Sequence, residues 1–539
     1  MKTLKLLVFV SLFTMLVNTV FAQTDSAEKF SETLITHVNW DEFQKDLFTI
    51  SPDSKRVIYV IKQNEKYYII EDNKKSQAFD YVGKIVFSND SKRYCALVIK
   101  GNKNAVVCDG KLGKLYSEIN YGPVFSPDSK HFLYTVYEKN NQFVVYDTKE
   151  EKKYSSLSDP IFNSEGNSYA YAGFVKNILY TVLNGKELKK HELLSGDLKF
   201  SGNGKRIGYA VYKDVKKAMV IDGIEQKPFT DIIENSLKFD YLGNNYIYVA
   251  QDSNLHTVFV KNNVEEGKYS SVDTTILSKD GKNYYYTAQY KYNDYKRNFA
   301  VVTEYYVVHN GKQIGVFDEV MKNSLITDST GEHYTFAAKK GGTWSIYYDG
   351  EIVGTHESES FPYLSFDGKT IVYATYKSDG KMTMVINKKE GDVYDQVFYP
   401  IFNPANNKVI YAAKQNNKVF LVTDGVKGKE YDDLLFYFFS YTGKDLVYGA
   451  ISGDKRLYCI NGKESKLYTD IKTALYSNDD KHLYLLVSED EGLKLVVDGT
   501  ESRLYNWIGG YQLYDEKAGE INFITLNNDN IYKVKAKLD

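Results

Sequence analysis

Cysteine, histidine and tryptophan are scarce in this 539-residue chain, which has three Cys, eight His and three Trp. The cysteines, Cys95, Cys108 and Cys459, have neither the spacing of a zinc site nor enough members for a disulfide framework. Cys95 and Cys108 fall opposite each other in one expected hairpin. We expect two buried thiols there, with a disulfide as the alternative.

Long hydrophobic runs are absent after residue 22. Residues 1–22 have the order of a secretory signal peptide, with Lys2 and Lys5 first, an apolar stretch over 6–20 and the small Ala22 at its end. The apolar stretch is short for a membrane span, and an uncleaved anchor is the alternative. We therefore expect a periplasmic or secreted protein without a transmembrane segment after signal cleavage. A flexible leader is expected over residues 23–37.

Motifs that carry chemistry are also missing. The chain has no Gly-x-Ser-x-Gly nucleophile elbow, no His-Glu-x-x-His zinc motif, no EF-hand loop and no phosphate-binding loop. Its charge is balanced, with 68 Lys and Arg against 70 Asp and Glu, which argues against nucleic acid as a partner. We predict no catalytic residue, no metal ligand and no cofactor.

What the chain does have is a repeat, marked by an apolar anchor residue that opens a polar turn. Thirteen anchors recur, with successive spacings of 37 to 39 residues and one of 49. A fixed period of this size indicates a repeat architecture. The anchors are Ile50, Phe87, Phe125, Phe162, Phe200, Phe239, Leu277, Ile326, Leu364, Phe402, Phe439, Tyr476 and Leu513.

Each repeat has room for four strands and none for a helix. Ser, Pro, Asp and Gly after the anchor favour a turn, and we attribute the recurring Asp to turn capping rather than to a catalytic or Ca²⁺-binding series. A β-rich run follows, and a second run ends in Asp-Gly or Asn-Gly, which favours a hairpin. A third run opens with an aromatic residue, as in Tyr116–Ile119, and a fourth leads to the next anchor. Four antiparallel strands repeated radially predict a β-propeller blade.

The anchor turns resemble the TolB-like (WD40-like) β-propeller repeat, whose hallmark is Phe-Ser-Pro-Asp-Gly-Lys followed by an aliphatic strand. The matching copies are Phe125–Lys130, Phe87–Lys92 and Leu364–Lys369, and the resemblance runs over nearly the whole mature chain. It implies an exported bacterial propeller protein. It does not imply one function, because the family includes partner-binding periplasmic proteins and non-catalytic domains of peptidases.

Thirteen blades are too many for one ordinary propeller of about four to eight blades, so we predict two rings of seven and six. The first would take residues 38–312 and the second 313–539, with an open, solenoid-like stack as the alternative. Residues 40–43 are expected to supply an outer strand that closes a ring by strand exchange. The extra residues of the 49-residue repeat, 291–300, are expected to protrude from one face or to lie between the two rings, as a gate or docking loop.

One column of residues predicts more than a scaffold. Three consecutive repeats place an aromatic residue three positions before the anchor, at the mouth of the expected inner strand: Phe361, Tyr399 and Phe436, with Phe398 and Tyr437 beside them. Packing between neighbouring inner strands is one interpretation. The other is an aromatic platform for a peptide or a glycan.

These observations favour a non-enzymatic binding scaffold that recognises a protein segment or a cell-envelope glycan at a propeller mouth. The alternative is a glycan lyase or hydrolase with its site in one propeller channel. A cluster of carboxylates, or of His with Arg or Tyr, within hydrogen-bond reach would favour the enzyme. An aromatic or neutral mouth would favour the scaffold.

Overall fold

The computed structural model describes residues 29–176, 178–297, 299–477, 479–490, 492–515 and 519–538. The predicted signal peptide, 1–22, lies outside these residues and stays a prediction. In the described part strands dominate, and the named helical elements are two 3-10 turns, Lys45–Leu47 and Tyr295–Arg297. None of the described helices is long and apolar enough to cross a membrane.

Fifty-five strands form thirteen antiparallel sheets in these ranges. Strand β1 is Phe30–His37 and belongs to the last sheet. The next four sheets are β2–β5 (Thr49–Ile50, Val57–Gln63, Lys66–Glu71, Lys74–Lys75), β6–β9 (Tyr81–Phe87, Tyr94–Lys100, Lys103–Cys108, Lys111–Leu112), β10–β13 (Glu118–Phe125, Phe132–Glu138, Asn141–Tyr146, Lys149–Glu150) and β14–β18 (Ser156–Leu157, Ile161–Phe162, Tyr169–Val175, Ile178–Leu183, Lys186–His191).

Four further sheets follow the same plan, two of them with an interrupted first strand. They are β19–β22 (Leu193–Phe200, Ile207–Lys213, Lys216–Ile221, Ile224–Phe229), β23–β27 (Asp231–Ile232, Lys238–Phe239, Tyr246–Gln251, Thr257–Lys261, Val264–Tyr269), β28–β31 (Ser271–Leu277, Tyr284–Asp294, Ala300–His309, Lys312–Phe317) and β32–β36 (Glu319–Val320, Ile326–Thr327, Tyr334–Lys340, Thr343–Tyr348, Glu351–His356).

The remaining sheets complete the series, the last of them with β1. They are β37–β40 (Tyr363–Leu364, Ile371–Tyr376, Met382–Ile386, Lys389–Tyr394), β41–β44 (Gln396–Phe402, Val409–Gln415, Lys418–Thr423, Val426–Lys427), β45–β48 (Asp433–Phe439, Leu446–Ser452, Lys455–Ile460, Lys463–Glu464), β49–β52 (Asp470–Tyr476, Leu483–Glu489, Gly492–Val497, Thr500–Glu501) and β53–β55 (Trp507–Asp515, Glu520–Asn527, Asn530–Lys537).

Twelve of the thirteen sheets are four-stranded meanders of the kind found in propeller blades, and in the last sheet β1 supplies the outer strand. In the sheet β10–β13, Phe125 pairs with Phe132 across the anchor turn, and the order of strands in space is their order in sequence. The prediction of an all-β propeller protein built from thirteen four-stranded repeats is confirmed.

The chain divides into two compact units. The central unit takes residues 79–379 and 383–391, and the terminal unit takes the residues before 79, residues 380–382 and those from 392 onwards. The predicted division into rings over 38–312 and 313–539 stays a prediction.

The anchor turns owe their shape to side-chain capping. The Ser88 hydroxyl donates to Asp90 Oδ1 at 2.7 Å and accepts the Arg93 N–H at 3.0 Å, while Asp90 also accepts the Lys92 N–H at 3.1 Å. The same Ser–Asp bond recurs at Ser51–Asp53, Ser126–Asp128, Ser278–Asp280, Ser365–Asp367 and Ser477–Asp479. The recurring Asp therefore caps a turn, as predicted.

The predicted third and fourth runs are not two separate strands. After the Asp-Gly turn the outer strand is often only two residues long, as in Lys111–Leu112. Tyr116 then pairs back to Asn104 through an isolated bridge, and the inner strand of the next sheet begins at Glu118. The aromatic motif therefore marks the crossing from one sheet to the next, because its two ends bond to different sheets.

The closing strand is also earlier than predicted. Residues 30–37, which were assigned to the leader, form β1 and pair with β55 from Phe30↔Ala536 to His37↔Asn530. The prediction of a strand over 40–43 is wrong, because the N–H groups of Glu42 and Phe43 both turn back to the Asn39 carbonyl. Closure by strand exchange between the two ends of the chain nevertheless holds.

The core lies between neighbouring sheets. One cluster joins Val106 of β8 to Tyr116, Phe132 and Phe143 of the following repeat. A disulfide in the central unit joins Cys95 to Cys108, whose Cα atoms lie 4.2 Å apart in facing positions of β7 and β8. The expectation of two buried thiols is therefore wrong, since direct register brings the sulfurs within bonding distance.

Candidate functional site

The predicted aromatic column lies at irregularities of the inner strands. In β41 the register shifts between Val397 and Pro400, and in β45 it shifts between Leu434 and Phe436. Such bulges leave residues outside the ladder and re-aim their side chains. Tyr399 is one of these residues, which is why it does not follow the in-and-out alternation of a regular strand.

Tyr399 is the most exposed member of the column. Its side chain is 52% exposed, and its ring stacks on that of Tyr437 in the next sheet, with centroids 4.9 Å apart and planes 12° apart. The Tyr437 hydroxyl donates to the Tyr399 backbone oxygen at 2.5 Å, and Tyr437 itself is buried. The ring stacking and the hydrogen bond from Tyr437 thus fix the position of Tyr399.

The other members are more buried. Phe436 lies over Gly449, where an added Cβ would meet the ring at 2.6 Å, and it packs against a buried cluster of the same unit. Phe398 is partly buried against the cluster that contains Tyr437. Phe361 belongs to the central unit, where it is partly buried and meets Tyr363 edge-on at 5.4 Å. The binding role of all five residues stays a prediction.

Three histidines of the anchor turns have acidic partners that serve the fold. His131, His333 and His482 bond through Nδ1 to Asp147, Asp349 and Asp498 at 2.8, 2.7 and 2.9 Å. Arg93 and Arg206 hold the same position in other repeats and pair with Asp109 and Asp222. Each of these Asp residues also accepts a backbone N–H at the start of the second strand. These pairs therefore brace the anchor turns.

Acidic residues of the crossing motif have a separate role. Asp80, Asp395 and Asp432 accept the N–H groups of Gly101, Asn416 and Gly453 at 2.5, 2.8 and 2.7 Å. Each acceptor follows the motif's aromatic residue, and each donor lies in the loop between the second and third strands of the same sheet. The acidic residue of the motif thus fixes that loop.

A recurring contact between neighbouring sheets, which the sequence analysis missed, is here called the clasp. It joins the aromatic residue of the crossing, and the cation two positions before it, to one Glu of the next sheet. Tyr154 donates to Glu187 at 2.8 Å and Lys152 donates to the same oxygen at 2.8 Å. Equivalent clasps are Lys114/Tyr116–Glu150, Lys429/Tyr431–Glu464, Lys466/Tyr468–Glu501 and Arg503/Tyr505–Glu32.

The clasp shifts the pKa of its members. The hydrogen bond from Lys114 lowers the pKa of Glu150 against the opposing effect of burial. Burial, followed by the bond to Glu187, raises the pKa of the Tyr154 hydroxyl. The carboxylate and the protonated phenol are therefore the forms that the folded state favours. In four of the five clasps the Glu follows the Tyr by 33 or 34 residues, which was the available sequence signal.

The long repeat extends a hairpin rather than forming an irregular loop. Pairing with the flanking strands β28 and β31 ends at Ser271↔Gln289 and Tyr305↔Phe317. Five further pairs, from Tyr290↔Glu304 to Asp294↔Ala300, join β29 to β30 alone. Tyr295 and Phe299 at the tip are 78% and 62% exposed and meet edge-on at 5.2 Å.

Two cavities lie in the central unit. One of about 290 Å³ is lined by Asn167, Asn184, Asn203 and Arg206, and one of about 200 Å³ by Asp197, Lys199 and Glu234 among others. Within the described ranges no group of three or more His, Cys, Asp or Glu could hold a metal ion. The lyase or hydrolase alternative stays a prediction.

Comparison with known proteins gives similarity to solved structures alone, since no family model and no curated protein matches. One structure is of a eukaryotic initiation factor, with TM-score 0.29 and 11% identity over 64% of this chain and 98% of that one. TolB from Acinetobacter baumannii has TM-score 0.21 and 15% identity over 43% of this chain and 62% of its own. The β-propeller domain of the trilobed protease from Pyrococcus furiosus has TM-score 0.23 and 15% identity over 57% and 94%.

Proposed function

We propose that this protein is an exported, non-enzymatic binding scaffold, located in the periplasm or secreted. Its ligand would be a protein segment or a glycan of the cell envelope. The observation that carries the proposal is Tyr399, a half-exposed ring that is stacked on a buried Tyr437 and fixed by that residue's hydroxyl. A rigid, exposed aromatic ring gives contact area at a small entropy cost, which is what a binding anchor needs.

Two features support the other parts of this proposal. The Cys95–Cys108 disulfide is of a kind that persists in oxidising compartments, which supports export. The anchor-turn His and Asp residues are engaged in turns and ion pairs, so these groups brace the fold rather than assemble a reactive centre.

The test is affinity capture from cell-envelope extract with the mature chain, run beside the Tyr399→Ala variant. We expect a specific protein or polysaccharide that the wild type retains and the variant loses. Tyr441→Ala is the matched control, since Tyr441 belongs to the same unit, is 61% exposed and lies in an anchor turn. Equal capture by all three proteins would overturn the role of Tyr399.

A further inference from the structure

Two of the chain's three tryptophans lie at the sheet that joins its ends. Trp40 and Trp507 are 41% and 40% exposed, whereas the third, Trp344, is buried at 4%. Trp507 is the first residue of β53, and Trp40 follows β1, which pairs with β55 of the same sheet. Single exposed apolar residues are ordinary on protein surfaces, whereas a contiguous exposed apolar patch indicates an interaction site.

The two indoles are the ends of a continuous line of aromatic rings. Trp507 meets Phe48 edge-on at 6.2 Å, Phe48 meets Phe43 at 5.9 Å, and Phe43 meets Trp40 edge-on at 5.6 Å. Phe43 is buried and Phe48 is partly buried. Trp40, Phe48 and Trp507 form what we call the seam platform, and the buried Phe43 connects Trp40 to Phe48.

Both indoles are held in fixed positions. The Trp40 Nε1–H donates to Asp529 Oδ1 at 2.7 Å, and Lys45 Nζ lies 4.9 Å from the centre of the Trp40 ring. The Trp507 ring lies across Gly509, where an added Cβ would come within 2.2 Å of it. A rigid surface avoids the entropy cost of ordering side chains when a ligand binds.

Hydrogen-bonding groups border the platform. The loop 527–530, Asn-Asn-Asp-Asn, joins β54 to β55, and its Asp529 is the residue that holds Trp40. The Asn528 N–H donates to Asn506 Oδ1 at 2.7 Å, and His37 Nδ1 lies 3.2 Å from Asn530 Oδ1. Amide, carboxylate and imidazole groups are suited to pairs of hydroxyls, which both donate and accept.

The position of Trp507 in its repeat argues against a packing role. Two residues after the crossing aromatic, several other repeats carry an acidic residue, such as Glu118, Asp433 or Asp470, and one carries Tyr81. The blade therefore folds with a polar residue there, and the tryptophan is not needed for the sheet to form. Trp507 is linked to Trp40 through Phe48 and Phe43, and packing of its own sheet does not account for that link.

We propose that the seam platform binds a β-linked glycan chain. Pyranose rings with equatorial substituents offer flat C–H faces to aromatic rings, and their hydroxyls suit the Asn-rich border. A folded protein partner is less well suited, because its anchor residues are expected to enter well-packed pockets, whereas this surface is a line of rings. The inference concerns residues other than Tyr399 and does not depend on the role of that residue.

The test is an intrinsic-fluorescence titration of the full mature chain. The probes are tetrasaccharides of β-linked N-acetylglucosamine, β-linked glucose and β-linked xylose, with α-linked maltotetraose as the comparison. We expect at least one β-linked probe to change the emission saturably with Kd below about 10 mM. The buried Trp344 gives a constant background.

Substitutions identify the residues that bind the sugar. Trp40→Ala and Trp507→Ala should each weaken binding about tenfold or more, while Tyr399→Ala should leave it unchanged. Trp507→Tyr serves if the alanine variant fails to fold, and we expect it to retain part of the affinity. Absence of saturable binding by every β-linked probe, or unchanged binding in both tryptophan variants, would overturn the proposal. A loss in Tyr399→Ala alone would assign the sugar to the other surface and overturn this one.

Discussion

Replacing Glu187 with alanine removes the shared acceptor of one clasp and should weaken the contact between two neighbouring sheets. The Tyr154 hydroxyl donates to Glu187 at 2.8 Å. Because Tyr154 is 1% exposed, water could not replace Glu187 as the acceptor. Leaving a buried donor unsatisfied costs about 1–3 kcal/mol, and we expect about 2 kcal/mol here.

Replacing Tyr154 with phenylalanine should cost less. Glu187 keeps its bond from Lys152, and its side chain is 28% exposed, so water can replace the phenol. We expect about 0.5–1.5 kcal/mol, the net value of one hydrogen bond. Phenylalanine fits the position, because Phe229 holds it in another repeat where Lys227 still pairs with Glu265. The double variant has no orphaned hydroxyl, so its cost should fall below the sum of the two by about 1 kcal/mol.

Native-state hydrogen exchange measures these costs locally, which matters in a chain of many repeats where global unfolding is not a single step. The reporters are the amides of Gln142 and Tyr154, which bond reciprocally to each other's carbonyls at 2.8 and 2.9 Å. The reasoning fails if Glu187→Ala opens no more easily than Tyr154→Phe, or if the two costs simply add.

Three further predictions follow from the described contacts. The hydrogen bond from Lys114 lowers the pKa of Glu150 from 4.5. The contribution of Glu150 to stability is therefore present above pH about 4.5 and is lost as the pH falls through the folded pKa. In an acid titration, the melting temperature of Glu150→Gln should fall less steeply than that of the wild type. Tyr399→Ala should lower the free energy of unfolding by under about 1 kcal/mol and Phe436→Ala by about 2 kcal/mol, because only the Phe436 ring is packed over Gly449. Equal melting temperatures of the two variants would contradict this. Replacing residues 291–303 by a two-residue turn should leave the calorimetric melting temperature nearly unchanged, since the outer five pairs have no flanking strand; a drop of many degrees would show that the hairpin supports its sheet.

The repeat could be predicted because its signals are local. Ser88, Asp90 and the residues between them close a turn within one short stretch, so the motif marks the turn wherever it occurs. The exact ends of the strands were harder to predict. Residues 30–37 bury Phe30 but expose Leu34, so they lack the alternation that would have marked them as a strand.

Contacts between distant residues could not be predicted in the same way. The partners of the closing clasp, Glu32 and Arg503, come from opposite ends of the chain, and no single repeat contains both. The seam platform depends on the same closure, which brings Trp40 to the sheet that carries Trp507. Tyr399 was identified by its position in the repeat, but its exposure depends on a bulge that the spacing alone does not specify.

The pairing of β1 with β55 has a consequence for how the protein is made. The last sheet cannot form until the ribosome has released nearly the whole chain, so the first strand must wait while all the other sheets are synthesised. A prematurely terminated product would leave β1 unpaired and a neighbouring strand edge open to other copies, a situation that favours aggregation. The same pairing makes the two ends spatial neighbours, so a circularly permuted gene that opens another crossing should encode the same set of sheets.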